Sequence, residues 1–405
     1  MDSSEQDERA RGARRWDRRG FLRLAAGVAP AAAFTLACVP PSRDPRSRGT
    51  RGSAQVSAQD SPQGKEPGLG RAEIAPLRPP DRAYLEALAA ERPRAPSADG
   101  TVVDEATAPM LYRNPVVAEN CPDPHVMADG DTFYMVSTSH VLPAFPIRVS
   151  KDLVTWRNTA AWVFTRANRP DWAIDHFWAP ELHRVDETYV CYYTARSRRT
   201  GRLCIGAAVA HTPFGPYRDL GRPLIDTVVS ALDPTFFQDE DGRRYLYWKE
   251  DAGPGDPGGP ICVRELTPDG LGFAGDRWEI ARNDVDWEGP LIEGPSVIKR
   301  GGAYYLFYSG GAYDTPWYAV GVARSLSPTG GFSKHGDPIL RGSDRWRGPG
   351  HNSIVHHGDW DYIVYHAWEG EHFRNVRPGL IDRVDWRTDG WPGVGDGTPR
   401  ESGEL

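Results

Sequence analysis

Five segments of one aromatic and β-branched pattern recur along the chain: GDTFYMVST (130–138), DETYVCYYTA (186–195), DGRRYLYWKE (241–250), GGAYYLFYSG (301–310) and GDWDYIVYHA (358–367). Each is entered through Gly or Asp, residues that open tight hairpins. Equivalent positions fall at Tyr134, Val190, Leu246, Tyr305 and Tyr362, in steps of 56, 56, 59 and 57 residues. A step of that length holds several short strands and no long helix, so one unit is too small to bury its own faces. Radial stacking buries them, and the near-constant period predicts an all-β, five-bladed β-propeller over about residues 109–395. A β-sandwich also uses short strands but gives no reason for a constant step. Composition agrees, with 43 Gly and 36 Pro for turns, and 14 Trp and 16 Tyr as strand-forming bulk.

About eleven residues before each reference position the preceding strand begins, the one nearest the propeller axis. There the chain reads Asp123-Pro124 in repeat one, Asp233-Pro234 in repeat three, Glu293-Gly294-Pro295 in repeat four and Gly350-His351-Asn352 in repeat five. Repeat two offers Trp178-Ala179-Pro180-Glu181 slightly closer to its reference. Taken singly, each is ordinary turn chemistry, because Asp caps a backbone and Pro sets φ. A second Glu-Gly-Pro even begins at Glu288, five residues upstream of the first. Taken together, they are spaced by one period and each feeds an apolar strand: HVMA, TFFQ, SVIK or SIVH. The mouths of symmetry-related strands converge, so two Asp, one Glu and one His are expected in a central pocket. Carboxyl groups that share a pocket repel one another, an arrangement suited to holding an acid and a base at different pKa values.

These stretches also resemble a known family. RNPVVAENCPDPHV, SKDLVTW (150–156), FWAPELH (177–183), ALDPTFFQDEDGRRYLYW, IEGPSVIKRGGAYYLFYSGG, GPGHNSIV and IDRVDWRTDGWP (381–392) are similar to glycoside hydrolase family 43 over about residues 112–393. The resemblance implies an inverting glycosidase cleaving arabinofuranosyl or xylosyl linkages of plant cell-wall polysaccharides or oligosaccharides. It implies Asp123 as general base, Asp233 as the residue that orients and tunes the acid, and Glu293 as general acid. Inverting chemistry needs these two carboxyls ~6.5–9.5 Å apart, which blades on opposite sides of an axis can supply. His351 resembles an axial His beside a hydrated structural ion, calcium or similar; no organic cofactor is implied. The family's substrate Arg has two candidates, Arg374 and Arg377, of which Arg377 is preferred. Phe177 and Trp178, with Trp287 or Trp317, are expected as walls for sugar faces, core packing being the alternative for each. Galactosyl or fructosyl specificity and a non-catalytic glycan-binding propeller are the competing functions. The fructan reading lacks its WxNDPNG-like stretch, and a non-catalytic chain would have lost one of the acids.

The first residues serve a different purpose. RRWDRRGFLRLAAGVAPAAAFTLAC sets Arg before a short Ala-rich apolar run ending at Cys38. This is the pattern of a signal peptide over 1–38. Arg18-Arg19 resemble a twin-arginine export signal, and Phe34-Thr35-Leu36-Ala37-Cys38 resembles a lipobox that would leave Cys38 lipidated. Residues 39–108, rich in Pro, Arg, Ser and Gly, predict a disordered tether with a short helix at 81–92. A C-terminal tail is expected over 396–405. The product would be extracellular or held to the outer face of the membrane by lipid alone, and monomeric. A formal net charge of −7 and the lack of a basic face past the leader exclude a nucleic-acid partner. Cys121, Cys191, Cys204 and Cys262 remain, with no zinc-type spacing. Cys191 and Cys204, placed evenly about a turn at 197–198, are candidates for a cross-strand bridge.

Overall fold

The structure, a computed structural model, describes residues 111–253, 256, 258–370 and 376–405. The leader, Cys38, the tether, its helix and Arg374 lie outside those residues. After β1 (Leu111–Arg113), blade one comprises β2 (His125–Asp129), β3 (Thr132–Val136), β4 (Ala144–Ser150) and β5 (Arg157–Phe164). Blade two comprises β6 (Trp178–Val185), β7 (Thr188–Arg196), β8 (Leu203–Ala210) and β9 (Arg218–Asp219). Blade three comprises β10 (Ala231–Gln238), β11 (Arg244–Glu250), β12 (Ile261–Leu266) and β13 (Phe273–Ala281). Blade four comprises β14 (Ile292–Arg300), β15 (Ala303–Gly310), β16 (Ala319–Ser325) and β17 (Ser333–Lys334). Blade five has three strands, β18 (Trp346–His357), β19 (Trp360–Glu369) and β20 (Gly379–Arg383). Short strands β21 (Asp385–Trp386), β22 (Pro392–Gly393) and β23 (Ser402–Glu404) follow. Within each blade, neighbouring strands pair antiparallel in chain order.

The repeated pattern is the second strand of every blade, where all five reference positions stand. Its alternate residues face the two neighbouring blades, and five apolar clusters result, one at each junction. Tyr134 and Ile147 of blade one meet Leu182 and Tyr193 of blade two. Tyr192 and Ile205 meet Leu246 and Trp248, Tyr247 and Val263 meet Leu306 and Tyr308, and Phe307 and Val322 meet Ile363 and Tyr365. Tyr362 and Val364 then meet Met135 and Val126, so the ring closes on blade one. Each buried large side chain contributes roughly 1.5–3 kcal/mol.

Closure uses both ends of the domain. β1 pairs with β23, and the Asn114 amide exchanges hydrogen bonds of 2.9 Å with both backbone groups of Ile381. Tyr112 and Tyr365 donate their hydroxyls to the two oxygens of buried Asp382, at 2.9 and 2.6 Å. The segment expected to be a tail past residue 395 therefore belongs to the fold, because without β23 the edge of β1 would lie unpaired.

One register prediction fails. β7 and β8 pair Ala195 with Cys204 and Cys191 with Ala208. The hairpin turns about 199–200, two residues later than the turn assumed from spacing, so four residues of strand separate the two thiols. Cys121, Cys191, Cys204 and Cys262 are all buried and free.

Candidate active site

The backbone performs the same manoeuvre at the mouth of every inner strand. Asp123, Ala179, Asp233, Gly294 and His351 have φ of 54°, 41°, 56°, 57° and 48°. The pairing of β6, β10, β14 and β18 slips at these residues, as at β-bulges that re-aim one side chain. Proline follows four of the five, where a residue without N–H loses no ladder bond. Asp-Pro here is thus turn chemistry and site construction at once. The true equivalents of Asp123 are Ala179 and Gly294, so Glu181 and Glu293 do not occupy the repeat-equivalent position; Glu293 stands one residue before its bulge. At Gly294 a side chain would be strained by the positive φ and would lie 3.2 Å from the His351 ring.

A second repeated device holds the bulges. Four residues after each reference position stand Thr138, Thr194, Glu250, Ser309 and His366. Each of four of them takes the bulge N–H of the next blade: Ala179 N on Thr138 Oγ1 (2.7 Å), Asp233 N on Thr194 Oγ1 (3.0 Å), His351 N on Ser309 Oγ (2.8 Å) and Asp123 N on His366 Nδ1 (3.1 Å). Between blades three and four, Glu250 turns away to Arg277, and Asp233 Oδ2 accepts the Gly294 N–H instead, at 3.1 Å. These acceptors were not picked out from the sequence, although the repeat phase marks them.

Asp123 is buried, with a hydroxyl donor and a guanidinium on its two carboxylate oxygens. Thr138 donates to its Oδ2 at 2.5 Å, and Arg377 Nη1 lies 3.2 Å from Oδ1. His366 Nδ1 and His351 Nδ1 approach Oδ1 to 3.3 and 3.6 Å. Burial alone would raise the pKa, but the Arg377 guanidinium foremost, with the Thr138 hydroxyl, outweighs it and holds the carboxyl well below the usual range. Arg377 is itself fixed, with its guanidinium 4.9 Å from the Tyr313 ring and 5.8 Å from that of Trp368.

Glu293, on β14, keeps some solvent access. Its Oε1 accepts the Tyr318 hydroxyl at 2.8 Å. Burial first, and the Asp233 charge second, push its pKa up to about 7. Burial and Asp123 push Asp233 likewise to about 7. Two such neighbours titrate as a unit and share roughly one proton near neutrality. The Gly294 N–H favours the charge on Asp233, and the Tyr318 hydroxyl does the same for Glu293. Lys249 is buried against the same pair, and its Nζ donates to Gly259 O at 2.6 Å. The pocket therefore sets Asp123, whose charge its neighbours favour, beside a carboxyl pair that retains a proton up to about pH 7, an arrangement able to serve acid and base chemistry together.

Other expected positions divide. His351 and Arg377 lie in the pocket. Trp178 is part-exposed beside it, and its indole N–H donates to His140 Nδ1 at 2.7 Å. Phe177, expected beside it as a wall, is fully buried against Phe145 and Phe164 and cannot meet a sugar. Phe177 stands just before β6 and Trp178 opens it, and alternation of extended chain sends these neighbours to opposite faces. Trp287 stacks on Tyr308 within blade four, while Trp317 is 53 % exposed. The duplicate Glu-Gly-Pro is structural: Glu288 is wholly buried, 2.7 Å from Lys334 Nζ and 2.6 Å from the Tyr308 hydroxyl.

His125, Glu181 and His183 also gather near the axis. The Leu182 N–H donates to His125 Nδ1 at 3.2 Å, which leaves the ring proton on Nε2, the nitrogen facing Glu181. Glu181 Oε2 is already engaged by Phe236 N at 3.0 Å and His183 Nε2 at 2.8 Å. A metal would need both groups freed, so the cluster acts as a hydrogen-bonded tie between blades one, two and three.

Comparison with known proteins agrees with this geometry. The family model described as glycosyl hydrolases family 43 matches residues 112–392. A β-D-galactofuranosidase of Aspergillus niger is 35% identical over 58% of this chain and 69% of its own length. An extracellular exo-α-(1→5)-L-arabinofuranosidase of Streptomyces chartreusis is 29% identical over 66% of this chain and 85% of its own. Among solved structures, a thermostable family-43 glycoside hydrolase superposes with a TM-score of 0.64 at 31% identity, covering 70% of this chain and 95% of that one. With the propeller, the three pocket carboxyls and a family match spanning the domain in agreement, the chain belongs to glycosyl hydrolases family 43 and is a glycoside hydrolase.

Proposed function

We propose that this enzyme hydrolyses arabinofuranosyl or xylosyl linkages of plant cell-wall polysaccharides or oligosaccharides with inversion, using Asp123 as general base and Glu293 as general acid, with Asp233 tuning the acid. One arrangement carries the reading: Thr138 and Arg377 converge on the Asp123 carboxylate and favour its charge, while burial and the neighbouring Asp233 push Glu293 up to about 7. They come from blades one and four, so water and leaving group can be served from opposite sides of a sugar. The names of two relatives, an arabinofuranosidase and a galactofuranosidase, favour a five-membered sugar ring, and galactofuranosides belong in any substrate panel. Glu293→Gln should lose activity on poor leaving groups by ~10²–10⁴-fold and far less on activated aryl glycosides, because a good leaving group needs little protonation. Asp123→Asn should lose both, since water must be activated whatever departs. Proton NMR of the first product should show the inverted anomer, and retention would overturn the assignment.

A hard cation such as calcium beside His351 is part of the proposal. Neither amide atom of Asn352, the next residue, has a hydrogen-bond partner although both are buried. Such an orphaned group suits a hydrated ion, whose waters can satisfy it and whose charge would steady the pocket. Chelation should lower both activity and melting temperature; no change in either would exclude the ion. Export by the twin-arginine route follows from Arg18-Arg19. Lys at both positions should retain precursor in the cytoplasm, and Cys38→Ala should release the protein from membranes if Cys38 is lipidated.

A further inference from the structure

Tyr318 is absent from the residues that sequence motifs single out, yet its position is highly determined. Its side chain is 1 % exposed. Its ring occupies the space that a side chain at Gly350 would need, since a Cβ there would lie 2.1 Å from Tyr318 Cε1. The opposite constraint comes from His366, whose imidazole stacks nearly parallel to the phenol, 13° between planes and 6.0 Å between centroids. The hydroxyl is thereby held 2.8 Å from Glu293 Oε1.

The direction of that hydrogen bond is set from outside the pocket. The His351 backbone N–H can only donate, and it occupies a lone pair of Ser309 Oγ at 2.8 Å. The Ser309 hydroxyl proton is left to point onward, and Tyr318 is close by: a Cβ at Gly350 would lie 2.1 Å from Tyr318 Cε1 and 3.0 Å from Ser309 Oγ. The Tyr318 hydroxyl in turn donates to Glu293 Oε1. Blade one has a shorter version of the same chain: Ala179 N–H enters Thr138 Oγ1, and Thr138 O–H leaves to Asp123 Oδ2.

We infer that Tyr318, driven by Ser309, is a positioning residue that occupies Glu293 Oε1 as a donor and so places the acidic proton on Oε2, the oxygen free to face the leaving group. This rests on Glu293 being the general acid. A carboxyl whose proton sat on Oε1 would have to rotate before each turnover, and the Tyr318–His366 stack leaves the hydroxyl no other position from which to prevent that.

The test compares poor and good leaving groups in the full-length enzyme, with an alkyl arabinofuranoside and a dinitrophenyl arabinofuranoside, or the corresponding xylosides, as the pair. Tyr318→Phe keeps the ring and its stacking while deleting the donor. It should lower kcat on the alkyl glycoside about 10- to 100-fold, a fraction of what a positioned acid supplies, change kcat on the aryl glycoside less than about 3-fold, and leave KM nearly unaltered. Ser309→Ala should show the same selectivity at smaller amplitude, which gives the answer even if Tyr318→Phe folds poorly. In a Glu293→Gln background, Tyr318→Phe should cost nothing further, as residues of one unit are not additive. Equal losses on both substrates, or none, would overturn the inference while leaving a leaving-group-sensitive Glu293→Gln, and hence the acid assignment, intact. If Glu293→Gln itself lacks that sensitivity, both fall.

Discussion

Replacing Asp233 by Asn isolates one electrostatic cause in the pocket. Asn keeps an oxygen able to accept the Gly294 N–H that Asp233 Oδ2 takes at 3.1 Å, so the backbone of blade four loses no partner. What disappears is a negative charge beside Glu293. The Glu293 carboxyl titrates at about 7 against an ordinary 4.5, with burial the larger cause and Asp233 the next. Asp233's part is then of the order of one pH unit, equivalent to about 1.4 kcal/mol. The sign is fixed by the chemistry. A neighbouring anion disfavours ionisation of Glu293, so removing it lets the acid lose its proton at lower pH. The alkaline limb of kcat/KM, measured on a poor leaving group over roughly pH 4–9, should therefore move down by about one pH unit. The acid limb should stay low, because the Asp123 charge is favoured by the Arg377 guanidinium and not by Asp233. An alkaline limb that stays in place or moves upward would refute the reasoning, and Glu293 would then owe its protonation to burial alone.

Arg377→Met should raise the acid limb by more than one pH unit, since the guanidinium is the foremost group opposing burial at Asp123; a pH profile on an aryl glycoside measures it. Glu288→Ala should leave kcat near normal but cost about 3–5 kcal/mol in denaturant unfolding, because it strands buried partners around Lys334 and Tyr308. Lost activity with normal stability would return the duplicate Glu-Gly-Pro to consideration as the acid. Phe177→Ala should destabilise by about 3–5 kcal/mol without selective change in KM, whereas Trp178→Ala should raise KM with little loss of melting temperature.

The repeat period made the propeller readable because each blade must present the same apolar faces to its neighbours, and that requirement recurs at a fixed interval. Asp123 and Asp233 were legible for the same reason, being locked to the period by their bulges. Glu293 was found through its motif, although it is one residue out of phase with them. What spacing could not supply was register and side-chain direction. The hairpin after β7 turns two residues later than symmetry suggests, which separates Cys191 from Cys204. Phe177, just before β6, and Trp178, its first residue, point opposite ways, so Phe177 went to the core and Trp178 to the pocket rim.

The sequence by itself determined the number of blades and the place of Asp123, Asp233 and Glu293 at the inner strands, since the period is a local property of the chain. Only the tertiary structure decided which groups surround each carboxyl. Arg377 lies 254 residues from Asp123 along the chain, and Tyr318 meets Glu293 across a separate strand. Charge and burial act through space, and the ring closes those separations only when all five blades are in place.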